Sequence, residues 1–337
     1  MSVKHVMSAK HVLNHFKKNA VSGCKRALSC SDTVTRSTGE PVALTRSRMV
    51  DGTFRVALTV VVVALTLIAC GASAASINDD DPITFSAPVP LEVGTPFYLA
   101  GEILRFELSL HNIVGGEAVI AVGQPGRMNG RDTIIVRSQS RSLGVAALFK
   151  EVSDDVTTWV DLASGHPVQL QADVTFGSKQ AYIETIFEGT HPGRFDIAYT
   201  KRGRPTRTLR LMIPPSGTYD GNSALGLLRA WQAQVGAQSI FYVLAGRRLW
   251  KNTVRAVGHE RIKTKLGQVV ARRIEGTAWR LDHRLARVKK KKARDYILWV
   301  TDDDRRLPIR VVAKTEYGEV KANLVDYQIA PLAARAR

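Results

Sequence analysis

Beyond residue 97 apolar and polar positions alternate with a period of two along most of the chain, as in strands with one buried face. Segments 103–110, 117–122 and 132–138 alternate or are rich in β-branched residues, and Gly or Asn separates them. Gly115-Gly116 reads as a hairpin turn between the first two. Residues 143–152 break the pattern with apolar spacing that fits one or two helical turns. Strand signals resume at 156–162, 168–176, 181–188, 194–199 and 206–213, and Pro214-Pro215-Ser216-Gly217 then interrupts the chain. A single convincing helix follows, over about 221–236. Asp220 to Ser223 supply N-cap candidates, and Leu225, Leu227, Leu228, Trp231 and Val235 fall on one face at helical spacing. Strands return at 238–244, 247–259, 261–265, 269–279, 295–301, 308–315 and 320–328, with Asp302 to Arg306 as a polar turn. Consecutive strands with short turns and no interleaved helices predict antiparallel pairing. A sheet of that size must curl, close or split to manage its edges. The predicted fold class is therefore mainly β: a large curved antiparallel sheet or incomplete β-barrel with one amphipathic helix plugging or capping it. Two stacked sandwiches joined near Pro214 are the alternative.

The front of the chain follows other rules. Of the formal net charge of +18, residues 1–48 carry +7 without sustained apolar periodicity. Met49 then opens a short segment containing Arg55, followed by an apolar run over 56–69. That run falls short of the roughly 20 residues a spanning helix needs and is followed by small residues, as in a signal peptide. Met49 is the expected start and 1–48 an upstream extension; a cytoplasmic tail on a single-pass anchor is the alternative. Leu67-Ile68-Ala69-Cys70 resembles the lipobox of bacterial lipoproteins, which implies that Cys70 receives a diacylglyceryl group and becomes the first mature residue. Ordinary cleavage after Ala72-Ser73-Ala74 competes with that reading. Residues 71–96 are small, acidic and Pro-rich and read as a linker, 97–330 as a β-rich domain, and 331–337 as a tail.

Three groups of residues resemble one known family. They are Gly101-Glu102, Leu104-Arg105-Phe106 and Gly115-Gly116-Glu117-Ala118; Tyr219-Asp220, Ser223-Ala224-Leu225 and Leu228-Arg229; and Leu298-Trp299-Val300 with Asp304-Arg305-Arg306-Leu307-Pro308-Ile309. In order and spacing they resemble a bacterial envelope family known as domain of unknown function 3108, over roughly 97–328. The resemblance implies an exported, largely β domain of unestablished activity behind a signal peptide. Relative to that pattern, residues 284–294 stand as an insertion.

The search for chemistry mostly excludes. Cys70 is the last of three cysteines, so the domain has no thiol for catalysis or metal binding. His111, His166, His191, His259 and His283 are scattered without ligand spacing. Asp79-Asp80-Asp81 and Asp302-Asp303-Asp304 lack the spacing of a calcium loop and read as solvated turns. Gly221 to Gly226 is one residue too long for a nucleophile elbow, so Ser223 reads as a helix cap. No phosphate-binding Gly loop is present. Glu102, Glu107, Asp173, Glu184 and Glu275 lie in strand-like segments, but nothing singles out two as an acid–base pair. No metal, cofactor or catalytic residue is expected.

One local feature is strong. Arg280, Arg284, Arg287, Lys289, Lys290, Lys291, Lys292 and Arg294 put eight cations into fifteen residues between two strand signals. The functional reading is a hairpin tip for polyanions, with Arg284, Arg287, Lys289 to Lys292 and Arg294 contacting anionic lipid, lipopolysaccharide or acidic polysaccharide. A solvated hairpin that only aids solubility is the plain alternative. Export argues against nucleic acid. The sequence thus predicts a non-enzymatic envelope protein, held by a lipid anchor rather than a spanning helix. Its place would be the periplasmic side of the outer membrane, or the soluble periplasm. Its β domain would bind a lipid, a glycan or an envelope protein partner. A scaffolding component and a paired-carboxylate polysaccharide hydrolase are the alternatives.

Overall fold

Alternation becomes architecture in a computed structural model that describes residues 84–330, apart from 94, 150, 189–192, 215 and 316–317. The expected signal segment and Cys70 lie outside the described residues. Those described belong to one compact unit. Burial follows the sequence alternation closely: in β5 (Val152–Asp161) every second side chain is buried along nearly the whole strand.

Fifteen strands form one sheet. After the short β1 (Val89–Pro90), an antiparallel meander runs through β2 (Glu102–Leu110), β3 (Ile113–Met128), β4 (Arg131–Ser142), β5, β6 (Pro167–Phe176), β7 (Lys179–Ile186), β8 (Arg194–Lys201) and β9 (Arg207–Met212). A second meander comprises β10 (Gln238–Ala245), β11 (Arg248–Thr264), β12 (Gly267–Arg280), β13 (Arg294–Thr301), β14 (Pro308–Thr315) and β15 (Gly318–Ile329). Pairing of β15 with β2 fuses the two, so the order is β1-β10-β11-β12-β13-β14-β15-β2-β3-β4-β5-β6-β7-β8-β9. The sheet is open, with β1 and β9 as its edges; β1 is the one parallel neighbour, adding Val89 and Pro90 beside Ser239 and Ile240. Among the described residues two helices accompany it, α1 (Gly144–Phe149) and α2 (Gly221–Ala230).

Helix α2 fills the concave face. Gly221 through Arg229 are all buried, and Leu225, Leu227 and Leu228 join a core with Phe106, Ile120 and Leu298. A second core joins Ile183, Phe195 and Ile197 from the end of the first meander to Leu244, Leu249 and Leu281 from the second. The sheet thus curls until its two ends face each other across side chains, without closing by hydrogen bonds.

Three local expectations need correction. The turn between β2 and β3 is His111-Asn112, both at positive φ, and not Gly115-Gly116. These glycines lie inside β3, where a Cβ on Gly116 would come within 2.8 Å of the Arg141 carbonyl oxygen. Strands β3 and β11 each continue where the sequence suggested a break. A bulge at Val122/Pro125 accommodates the proline that cannot donate to the ladder, and in β11 pairing with β12 runs unbroken from His259 through Glu260 to Thr264, past a bulge at Ala256/Gly258. Finally, α2 stops at Ala230. Trp231 is extended, its N–H donates to the Leu227 carbonyl, its own carbonyl accepts from Arg272, and Val235 is exposed.

Candidate anion-binding site

The loop after β12 carries the predicted cations, and short-range hydrogen bonds order it. The Asp282 carboxylate accepts from the backbone N–H groups of Arg284 at 2.8 Å and Ala286 at 3.0 Å, which holds its pKa below the usual carboxylate range. Leu285 takes a positive φ, Leu281 bridges to Arg287, and Val288 N–H donates to the Arg280 carbonyl. Arg287 lies 5.6 Å from the Trp279 ring centroid and Arg294 4.5 Å from that of Trp250. Two of the seven predicted anion-binding residues therefore brace the loop on tryptophans. Arg284, Lys289, Lys290, Lys291 and Lys292 project from this base and are exposed.

The sheet's curl brings further cations to the same place. Arg247, in the turn between β10 and β11, lies 3.9 Å from the Tyr199 ring centroid, and Lys201 lies 5.9 Å from the same ring. A cavity of about 130 Å³ opens between edge strand β9 and the β12–β13 loop. Arg247, Arg248, Arg280 and His283 share its wall with Leu249 and Leu281. Sequence reasoning missed Arg247 and Arg248. Their signal was a Gly-Arg-Arg turn between two strands, but nothing local said that it faces residues 280–285.

Elsewhere the titratable candidates serve structure. Glu102 and Arg229 form a fully buried bidentate pair at 2.7 Å, and Arg229 also donates to the carbonyls of Arg305 and Arg306. Phe97 stands within 5 Å of the Arg229 and Arg306 guanidinium groups. Asp220 caps α2 in a capping box with Ser223 and accepts from Thr158 at 2.7 Å, while Asn222 donates to the Val136 carbonyl and to Thr158. Ser223 is thus the third residue of the cap. A groove of about 510 Å³ crosses the outer face over β11–β14, lined by Glu275 and Asp295 among others. Glu275 is clamped between Arg255 and Arg273, and Asp295 accepts from Thr277. Glu107 pairs with Lys265, Glu184 accepts from Gln169 and Gln171, and Asp173 is exposed. His259 pairs with Asp302, and His166 stacks on Tyr219 with centroids 4.6 Å apart. Among the described residues no group of His, Cys, Asp and Glu has metal-site geometry, and no helix is long and apolar enough to cross a membrane.

A helix-plugged open β sheet with a cationic loop at its seam defines the class of β domain to which this chain belongs. The chain belongs to the family described as Protein of unknown function (DUF3108), which it matches over residues 105–325. No curated protein matches it. Among solved structures it is similar to a β-barrel-like protein of domain of unknown function DUF1849 from Brucella abortus, with 11% identity and a TM-score of 0.47 over 72% of this chain and 100% of that one. A protein from Bacteroides fragilis, provisionally described as exported and of YmcC-like fold, is 8% identical with a TM-score of 0.30, over 70% and 99%. A protein from Parabacteroides distasonis, provisionally described as a lipoprotein, is 6% identical with a TM-score of 0.31, over 71% and 99%.

Proposed function

We propose that this is an exported, non-enzymatic envelope protein, anchored through Cys70, whose β12–β13 loop binds polyanionic surfaces: anionic lipid headgroups, lipopolysaccharide phosphates or acidic polysaccharide. One observation carries the reading. The loop is an ordered platform, pinned by Asp282, Trp279 and Trp250, and it holds Lys289 to Lys292 exposed together. An ordered presentation loses less side-chain and backbone entropy on binding than a floppy charged hairpin would. The concave face is occupied by α2, so the outward-facing cations are the better candidate contact.

Each basic residue near an anionic membrane surface contributes about 1 kcal/mol. The triple variant Lys289→Gln/Lys290→Gln/Lys292→Gln should therefore weaken cosedimentation with phosphatidylglycerol vesicles on the order of 100-fold at low salt. Wild-type binding should fall as salt rises, and neutral vesicles should not bind. Binding that survives the triple variant would sink the loop assignment. The anchor is checked separately by intact mass: a chain beginning at Cys70 with a diacylglyceryl group, lost in Cys70→Ala, supports it. A chain starting at Ala75 in both proteins rejects it.

A further inference from the structure

The geometry points to a second site, distinct from the lysine platform: the cavity between β9 and the β12–β13 loop takes one anionic amphiphile of the alkyl-phosphate class. The inference rests on the reading of this end of the domain as anion-binding, but it concerns different residues.

The wall is divided by chemistry. Arg247, Arg248, Arg280 and His283 supply nitrogen donors, while Leu211 and Leu285 supply apolar surface. A guanidinium presents N–H groups in a planar fork that matches pairs of phosphate oxygens. The one acid on the wall is Asp282, and its Oδ1 is taken by the backbone N–H groups of Arg284 and Ala286. The balance facing the cavity is thus cationic.

Size sets the occupant. About 130 Å³ admits a phosphate and a few methylenes but not a whole acyl chain. The remaining hydrocarbon has an apolar path beside it. Edge strand β9 ends the sheet, and Leu209 lies two residues before Leu211, on the same face by the strand period, with 36% of its surface exposed. Met212, also on the wall, is 43% exposed. Burying such surface against an alkyl chain is favourable at about 25 cal/mol per Å². A free phosphate would satisfy the arginines alone, and a neutral amphiphile the leucines alone; the joined wall fits a molecule that carries both.

Calorimetric titration of the full exported protein tests this, with octyl phosphate as the probe and inorganic phosphate and octyl glucoside as the separate halves. One octyl phosphate per chain is expected, about tenfold tighter than either half. Leu285→Asp should erase the advantage over inorganic phosphate. Arg248→Gln/Arg280→Gln should erase the advantage over octyl glucoside. Because both of these arginines also make contacts within the protein, Arg247→Gln in the exposed turn is measured beside them, and thermal melting confirms that each variant folds. Octyl phosphate bound no more tightly than both halves overturns the inference, even if wild-type protein still binds anionic vesicles. Conversely, octyl phosphate binding without vesicle binding sinks the platform and leaves the cavity. The triple lysine variant should lose the vesicles and keep octyl phosphate; equal loss of both would show a single diffuse cationic surface.

Discussion

Arg229 places a full charge on a helix that has no solvent-facing side. Its guanidinium donates to both Glu102 oxygens and to the carbonyls of Arg305 and Arg306, so four of its five N–H groups have acceptors in the core. Such a pair adds little net stability over a well-packed apolar one, yet breaking it strands a charge in the core. Glu102→Gln should therefore cost about 3–5 kcal/mol, read as a lowered urea midpoint. Glu102→Leu/Arg229→Met should cost less than the two single changes added together. Additive losses would show that the two groups do not act as a unit. Both residues were visible in the sequence, Glu102 as a strand carboxylate and Arg229 within the family-like segment. Their partnership was not, because 127 residues separate them and only the β15–β2 junction with the plugged helix brings them together.

At the scale of elements, α2 shows which signals are local. Its start was legible, since Asp220 and Ser223 are built for reciprocal capping and perform it. Its end was not. Apolar spacing runs on through Val235, and the stop comes from Arg272 on β12 holding the Trp231 carbonyl, a tertiary contact without a local signature. The same separation makes an unusual substitution informative. In an exposed helix Gly→Ala gains about 1 kcal/mol. At Gly226 a Cβ would lie 2.3 Å from the Tyr98 ring, whose hydroxyl donates to the Asn222 carbonyl. Gly226→Ala should therefore destabilise by roughly 1–3 kcal/mol, because the ring has a fixed partner and must move. A stabilised variant in thermal melts would show that Tyr98 does not pack there. The sheet is similar: alternation marked the strands, while β3 runs on past Pro125 through a bulge and β11 runs unbroken through Glu260.

Across the whole molecule, one stacked pair links the fold to pH. Burial lowers the pKa of His166 from its ordinary value and raises that of Tyr219 to about 12. For His166 the unfolded chain takes up protons first, so its contribution is present above about pH 6.5 and is lost as pH falls through the depressed folded value. For Tyr219 the unfolded chain loses its proton first, so stability is full below about pH 10 and declines as pH rises towards 12. Stability should form a plateau between these limits, and His166→Gln should flatten the acid limb in a melting series. An unchanged acid limb would place the sensitive group elsewhere. The global arrangement was legible as a class, a curled antiparallel sheet with a helix in it. What escaped was the seam, because Arg247 and Arg248 are an ordinary turn and strand-start pair until the sheet's curl brings them beside β9.

The position of β1 has a mechanical consequence. The chain reaches the sheet alongside Ser239 and Ile240, near the start of β10, whereas Arg247 follows that strand's far end. Seven residue steps separate Ile240 from Arg247, roughly 23 Å at the strand rise. Under the proposed anchoring at Cys70 and anion contact at the seam, a pull would enter through β1 at one end of β10 and leave near its other end, along the strand. The bonds from β10 to β11 lie perpendicular to that load, and all eight register pairs resist together instead of opening one at a time. On that proposal the strand is loaded along its length, the direction in which its ladder is strongest.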